Sequence, residues 1–300
     1  MAWRSSSARA REAIAATIAA GLVADPAVGE VWLEGALAVG LAHARSDVDL
    51  RVIVERATAP ELRSRVVDGV RVDLAADTRG AVDAARRLLG SFDVRFDDVE
   101  VFRHVRAEIG SLTRLRTALR YVPAGWRPVI TDPERDVYRR WAVADQVEQI
   151  HSLTEDLLGL LDDRMYFEAD LVWRQLMLCL ATLECAAAGE PLLGTKWLPA
   201  LWRRTTGQLA TADALMLSLA PMSWGEDTSA WFAPVRQRVT DAILRCWPDL
   251  GEAEDAPPAY TLDPGWLPQR YADGWFVRLG DHRTRLSPGQ FRRWRRTATQ

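Results

Sequence analysis

Hydrophobic and polar positions divide the chain into two halves of different rhythm. In the first half the apolar runs are short and rich in β-branched residues, as strands require. Residues 29–34 ("GEVWLE") and 49–55 ("DLRVIVE") are predicted strands. "RSRVVDGVRVDLAA" predicts a hairpin, because two β-branched runs flank Asp68-Gly69, a dipeptide suited to a tight turn with positive φ. Helical spacing predicts helices over 8–22 and 79–90, and "FDVRFDDVEVFRH" alternates like a strand. "VPAGWRPVITDPERD" has the Pro and Gly punctuation of a loop, and a domain boundary is placed there.

Beyond it the spacing becomes helical. Val137, Trp141, Ala144, Val147, Ile150, Leu153, Leu157 and Leu161 recur every three or four residues, which makes one long helix. A second helix, 166–188, is apolar nearly all round and is expected to be central, with Gly189 placed to end it. Further helices are expected over 196–218 and 229–246. "DLGEAEDAPPAYTLDPG" has the composition of a linker, and the last stretch predicts a hairpin followed by a basic helix. The expected organisation is α+β: a mixed-sheet domain over 1–130, a helical bundle over 131–250, and a linker with a small hairpin-helix appendage over 251–300.

Composition narrows the function. With 48% hydrophobic residues the 300-residue chain can bury a large core. A net charge of −3 supplies no general attraction to nucleic acid. Cys179, Cys185 and Cys246 are too few and scattered for a disulfide framework or zinc site, and suit a reducing compartment. The N-terminal "AIAATIAAGLVA" follows arginines but adjoins Glu12, so an amphipathic helix is expected rather than a signal peptide. No stretch is long and apolar enough to span a bilayer. A cytoplasmic location follows as the expectation.

The chemistry centres on Asp47 and Asp49. At i and i+2 of a strand their side chains share a face, with Cα atoms roughly 6–7 Å apart. Two such carboxylates repel unless a cation lies between them. Divalent magnesium suits a few carboxylates completed by water and phosphate oxygens. Asp73, in the second arm of the hairpin, is the candidate third ligand of a two-ion site suited to in-line attack at phosphorus. Asp97 and Asp98 are the rival pair. The order of elements also matters. In dehalogenase-type phosphatases and many glycosyltransferases an acidic pair follows an apolar strand, whereas here the strand follows the pair and Gly35 ends the strand before it.

"VWLEGA", "SDVDLRVIV" and "VRVDLAA" in this order resemble the DNA polymerase β-like nucleotidyltransferase superfamily, in particular its small bacterial antibiotic and minimal nucleotidyltransferases. The resemblance covers residues 28–76 and extends weakly to "RPVITDPE". It implies a mixed-sheet catalytic domain followed by a helical substrate domain, with the active site in the cleft between them. It also implies two Mg²⁺ ions and transfer of a nucleoside monophosphate, AMP from ATP or the equivalent from another NTP, to a hydroxyl. Asp47 and Asp49 would bind both ions and Asp73 one. Gly35 and Ala36 would offer backbone amides to phosphate. Ala36 stands where relatives carry Ser or Gly, and the missing hydroxyl contact is worth about 1.5–3 kcal/mol. Ser46 either contacts phosphate or caps its turn. Lys196 is the single lysine among 38 basic residues; by the resemblance it would hold the triphosphate, its compact charge suiting a crowded site.

Asp145, Glu148, Ser152 and Glu155 form a stripe on the long helix. It is either a solvated face or a wall for a cationic acceptor, with Glu148 as the candidate general base. Among the histidines, His151 is the one expected to line the cleft, and Trp173 and Trp197 are candidate stacking surfaces. The expected acceptor is a small molecule, such as an aminoglycoside-like natural product. The rivals are modification of a protein or tRNA, and a non-catalytic nucleotide-binding protein.

Overall fold

The computed structural model describes residues 6–55, 64–95, 99–206, 219–220, 222–225, 227–247, 266–280 and 282–298. The chain is mixed α/β, with a mixed sheet and a helical region, and divides into two compact units. The first comprises Met1–Ser91 with Ala107–Tyr138, the second Phe92–Arg106 with Arg139–Gln300.

In the first unit, α1 (Ser6–Leu22) precedes β1 (Val28–Leu33), a short α2 (Gly35–Ala38) and β2 (Val48–Val54). Then come β3 (Arg65–Val67), β4 (Val70–Thr78) and α3 (Arg79–Arg87). After α4 (Val99–Thr117), β5 (Leu119–Val122) and β6 (Gly125–Pro128) complete a six-stranded sheet of order β3-β4-β2-β1-β5-β6. Among the described residues only β2 and β4 pair in parallel. In β2, Val48, Leu50, Val52 and Val54 join Val31, Leu33 and Val72 in a core with Ala15, Ile18 and Ala19 of α1. Alternation sends Asp49 and Arg51 to the opposite face. That face is polar: Trp32 Nε1 donates to Glu30, which also receives Arg79.

The hairpin turn forms at Asp68-Gly69 with φ of 49° and 75°, values Gly adopts without cost and Asp tolerates. Two elements differ from expectation. The segment read as a strand over 92–104 starts α4 at Val99, because Val105, Leu112 and Leu115 continue at helical spacing and are buried. A short alternating window was outweighed by the longer helical period. The expected 122–136 loop instead contains the turn and second strand of the β5–β6 hairpin, with Gly125 at φ 115°, and the start of α5 (Asp132–Asp162). Thr131 and Glu134 cap that helix reciprocally: Thr131 N–H donates to Glu134, and Glu134 N–H to Thr131 Oγ1. Arg86 pairs with the same carboxylate through two nitrogens and holds Glu134 down at about 2.

The second unit contains most of α5, α6 (Tyr166–Ala187), α7 (Leu198–Thr206) and α8 (Phe232–Cys246). A three-stranded antiparallel sheet follows, β7 (Leu267–Tyr271), β8 (Gly274–Leu279) and β9 (His282–Leu286), then α9 (Pro288–Ala298). The expected helix over 196–218 is described only to Thr206, and the linker over 249–265 lies outside the described residues. No helix among the described residues is long and apolar enough to cross a membrane. The C-terminal sheet packs on the helices rather than standing apart. Val277, Phe291 and Trp294 form a core with Leu244 of α8, and His151 Nε2 lies 3.1 Å from Pro268 O.

Candidate functional site

Asp49 lies opposite Asp73 in the parallel β2–β4 register, and Asp47 precedes β2 by one residue. One carboxylate oxygen from each of the three lies within 4.8 Å of the others. Their convergence follows from strand geometry: parallel partners share a face, and so do positions i and i+2.

The loop before the pair is clamped from beneath. The buried Arg11 guanidinium of α1 donates to Ser46 O at 2.6 Å, Ala44 O at 2.7 Å and Ser7 O at 3.1 Å. Ser46 is buried, and its hydroxyl accepts from His43 N–H at 2.9 Å. Of its two readings, the turn cap is the one with a bond in the structure. Gly35 closes the other side at φ +65°, where a Cβ would lie 2.0 Å from Asp49 Oδ2. Glycine is therefore required both by backbone conformation and by the approach of the carboxylate.

Electrostatically the cluster is under load. Burial, then the charges of Asp47, Asp73 and Glu34, push Asp49 up to about 6. Asp73 goes the other way: hydrogen bonds from Ser64 and from Arg71, whose Nε is 2.8 Å from Oδ1, hold its carboxyl below the usual range. Arg71 is the cation that sequence reasoning passed over. Its signal was its place two residues before Asp73 on β4. Glu34, buried at the end of β1, pairs with Arg51 at 2.7 Å, and Arg51 also reaches Asp77 at 2.9 Å. These two were likewise unflagged, because neither belongs to a motif.

The three aspartates fit a divalent cation. Their oxygens are close enough to share one, Asp49 bears repulsion that a cation would relieve, and Gly35 leaves room for its carboxylate. The repulsion has a measurable sign. A carboxyl raised from 3.8 to about 6 stabilises the fold below pH 4 and loses that contribution as pH rises through 6. Asp49→Asn is therefore expected to stabilise the chelator-treated protein at pH 7.5 by on the order of 2 kcal/mol, and to change little at pH 4. Urea midpoints at the two pH values check this; equal shifts at both would remove the ionisation argument.

The remaining candidates lie in the second unit. Glu148 accepts from Gln269 Nε2 at 2.9 Å and pairs with Arg278 at 3.3 Å, while Glu155 lies 3.5 Å from Arg278. Its carboxylate thus ties α5 to β7 and β8. The acidic stripe is a solvated face only in part: Ser152 and Glu155 are exposed, whereas Asp145 is 4% exposed and accepts from Gln146 and Gln149. His151, expected in a cleft, is fully buried, and burial pushes it down to about 3. Lys196 is exposed in the short 3₁₀ turn Thr195–Trp197, its Nζ 5.3 Å from the Trp197 ring centroid. Trp173 is buried edge-on to Trp224. Asp97 and Asp98 lie outside the described residues. The structure thus brings together Asp47, Asp49, Asp73 and Gly35, with Ala36 beside Gly35 in α2 and Ser46 at the base of the loop. The sequence matches no protein-family model and no curated protein.

Proposed function

We propose that the first unit is the catalytic module of a magnesium-dependent nucleotidyltransferase. It would transfer a nucleoside monophosphate, AMP from ATP by preference, to a hydroxyl of a small molecule and release pyrophosphate. The observation that carries this is the convergence of Asp49 and Asp73, on adjacent parallel strands, with Asp47 of the loop before β2, and with Gly35 packed against Asp49. An acidic triad, a glycine turn before it and a strand after it form the arrangement that the sequence resemblance implies.

Asp47 and Asp49 would hold two magnesium ions and Asp73 one of them. Bound there, the ions would screen the triphosphate and acidify the attacking hydroxyl. The chain's own part is positional. Arg11 fixes the loop that delivers Asp47, and the β2–β4 register fixes Asp49 against Asp73. The backbone amides of Gly35 and Ala36 would meet phosphate oxygens. In the transfer, the acceptor oxygen would bond to the α-phosphorus as the bond to pyrophosphate breaks, and Asp73 would receive the hydroxyl proton. Arg71 and Ser64 hydrogen-bond the Asp73 carboxylate and favour its charged form, the form that would bind an ion.

Calorimetry with each NTP, with and without Mg²⁺, tests the proposal. ATP is expected to bind wild-type protein only with the metal, and Asp49→Asn to weaken binding by at least about 100-fold. Nucleotide binding indifferent to metal and to Asp49 would sink the proposal.

A further inference from the structure

A cavity of about 560 Å³ lies wholly within the second unit, between α6, α7 and α8. Small side chains are part of its lining: Ala181 of α6 and Ala242 of α8, both nearly fully buried. Met177 and Leu180 extend the apolar floor, and the Trp202 ring supplies a wall. Its size is within the range of small-molecule sites.

The charges at its rim are selective. Glu184 and Arg245 neutralise each other at 2.5 Å. Two charged groups remain, Arg238 and Asp241, and neither has an ion-pair partner among the described residues. Arg238 is held with its guanidinium 5.8 Å from the Trp173 ring centroid. Asp241 Oδ1 accepts from Gln237 at 3.0 Å. The two lie at i and i+3 of α8, about 5–6 Å apart at Cβ, so one ligand can meet both. A simple anion would meet Asp241, and a simple cation would meet Arg238. A zwitterion satisfies each with the opposite charge.

We propose that this cavity binds an α-amino acid with a large apolar side chain, its carboxylate on Arg238, its ammonium on Asp241 and its side chain over Met177, Leu180 and Ala181. The proposal does not depend on the reaction assigned to the aspartates of the first unit.

Calorimetry on the full chain with L-phenylalanine, 3-phenylpropionate and 2-phenylethylamine tests it. L-phenylalanine is expected to bind at least about tenfold more tightly than either analogue lacking one charge. Arg238→Gln is expected to remove the preference over 2-phenylethylamine, and Asp241→Asn the preference over 3-phenylpropionate. Ala181→Leu, which fills the floor, is expected to abolish binding. The proposal is overturned if neither L-phenylalanine nor L-tryptophan binds at about 10 mM, if the three phenyl ligands bind alike, or if folded rim variants keep the wild-type preferences. The comparison of ligands on wild-type protein decides the question even where a variant does not fold.

Discussion

Gly35→Ala is expected to lower divalent-metal affinity by about 100-fold or more. Two causes combine. At φ +65° an L side chain costs on the order of 1 kcal/mol. The new Cβ would also sit 2.0 Å from Asp49 Oδ2, far inside the separation that non-bonded atoms tolerate. The backbone of Gly35 is anchored by its neighbour, since Glu34 N–H donates to Asp49 O at 2.9 Å. The side chain of Asp49 must therefore move, and it leaves the positions of Asp47 and Asp73. Gly40→Ala is the control: its φ is +72°, but nothing lies within 4 Å of the added Cβ. It is expected to cost stability of the same order and leave metal binding intact. Mn²⁺ titration followed by electron paramagnetic resonance compares the two. Equal affinities in both variants would remove Gly35 from the site.

Replacing Arg51 with Met is expected to cost about 3–5 kcal/mol of stability. Glu34 is 7% exposed, and Arg51 is its partner at 2.7 Å. Removing the arginine leaves a buried carboxylate without its counter-charge, which is far worse than never having placed the pair there. Two further carboxylates feel the loss. Asp77 gives up a contact at 2.9 Å, and Asp49 already carries the charge of Glu34 among the causes that raise it. Urea denaturation of Arg51→Met, Glu34→Gln and the double variant separates the contributions. The double variant is expected to recover much of the loss, because no unpaired charge remains. If Arg51→Met and the double variant are equally unstable, the cost lies in packing of the arginine stem instead.

Local pattern determined a great deal. Asp68-Gly69 between β-branched runs specified a hairpin, because few dipeptides accept positive φ at both turn positions. The period-2 alternation of "VDLRVIV" specified that Asp49 and Arg51 leave the core face. The spacing of Asp47 and Asp49, with a third aspartate in the hairpin's second arm, was enough to nominate the triad. Each rests on relations within a few residues, where backbone geometry alone decides the outcome.

What the sequence could not decide were the relations across the chain. That β4 pairs with β2 in parallel, setting Asp73 beside Asp49, is a property of the assembled sheet. That Arg11, 35 residues before Ser46, clamps the loop beneath the site depends on α1 packing under β2. The acidic stripe on α5 had the spacing of a solvated face, yet Arg278, 130 residues after Glu148, turns part of it into a tie to the C-terminal sheet. Periodicity records which face a side chain occupies. Only tertiary structure determines what that face meets, because burial and charge pairing depend on groups distant in sequence.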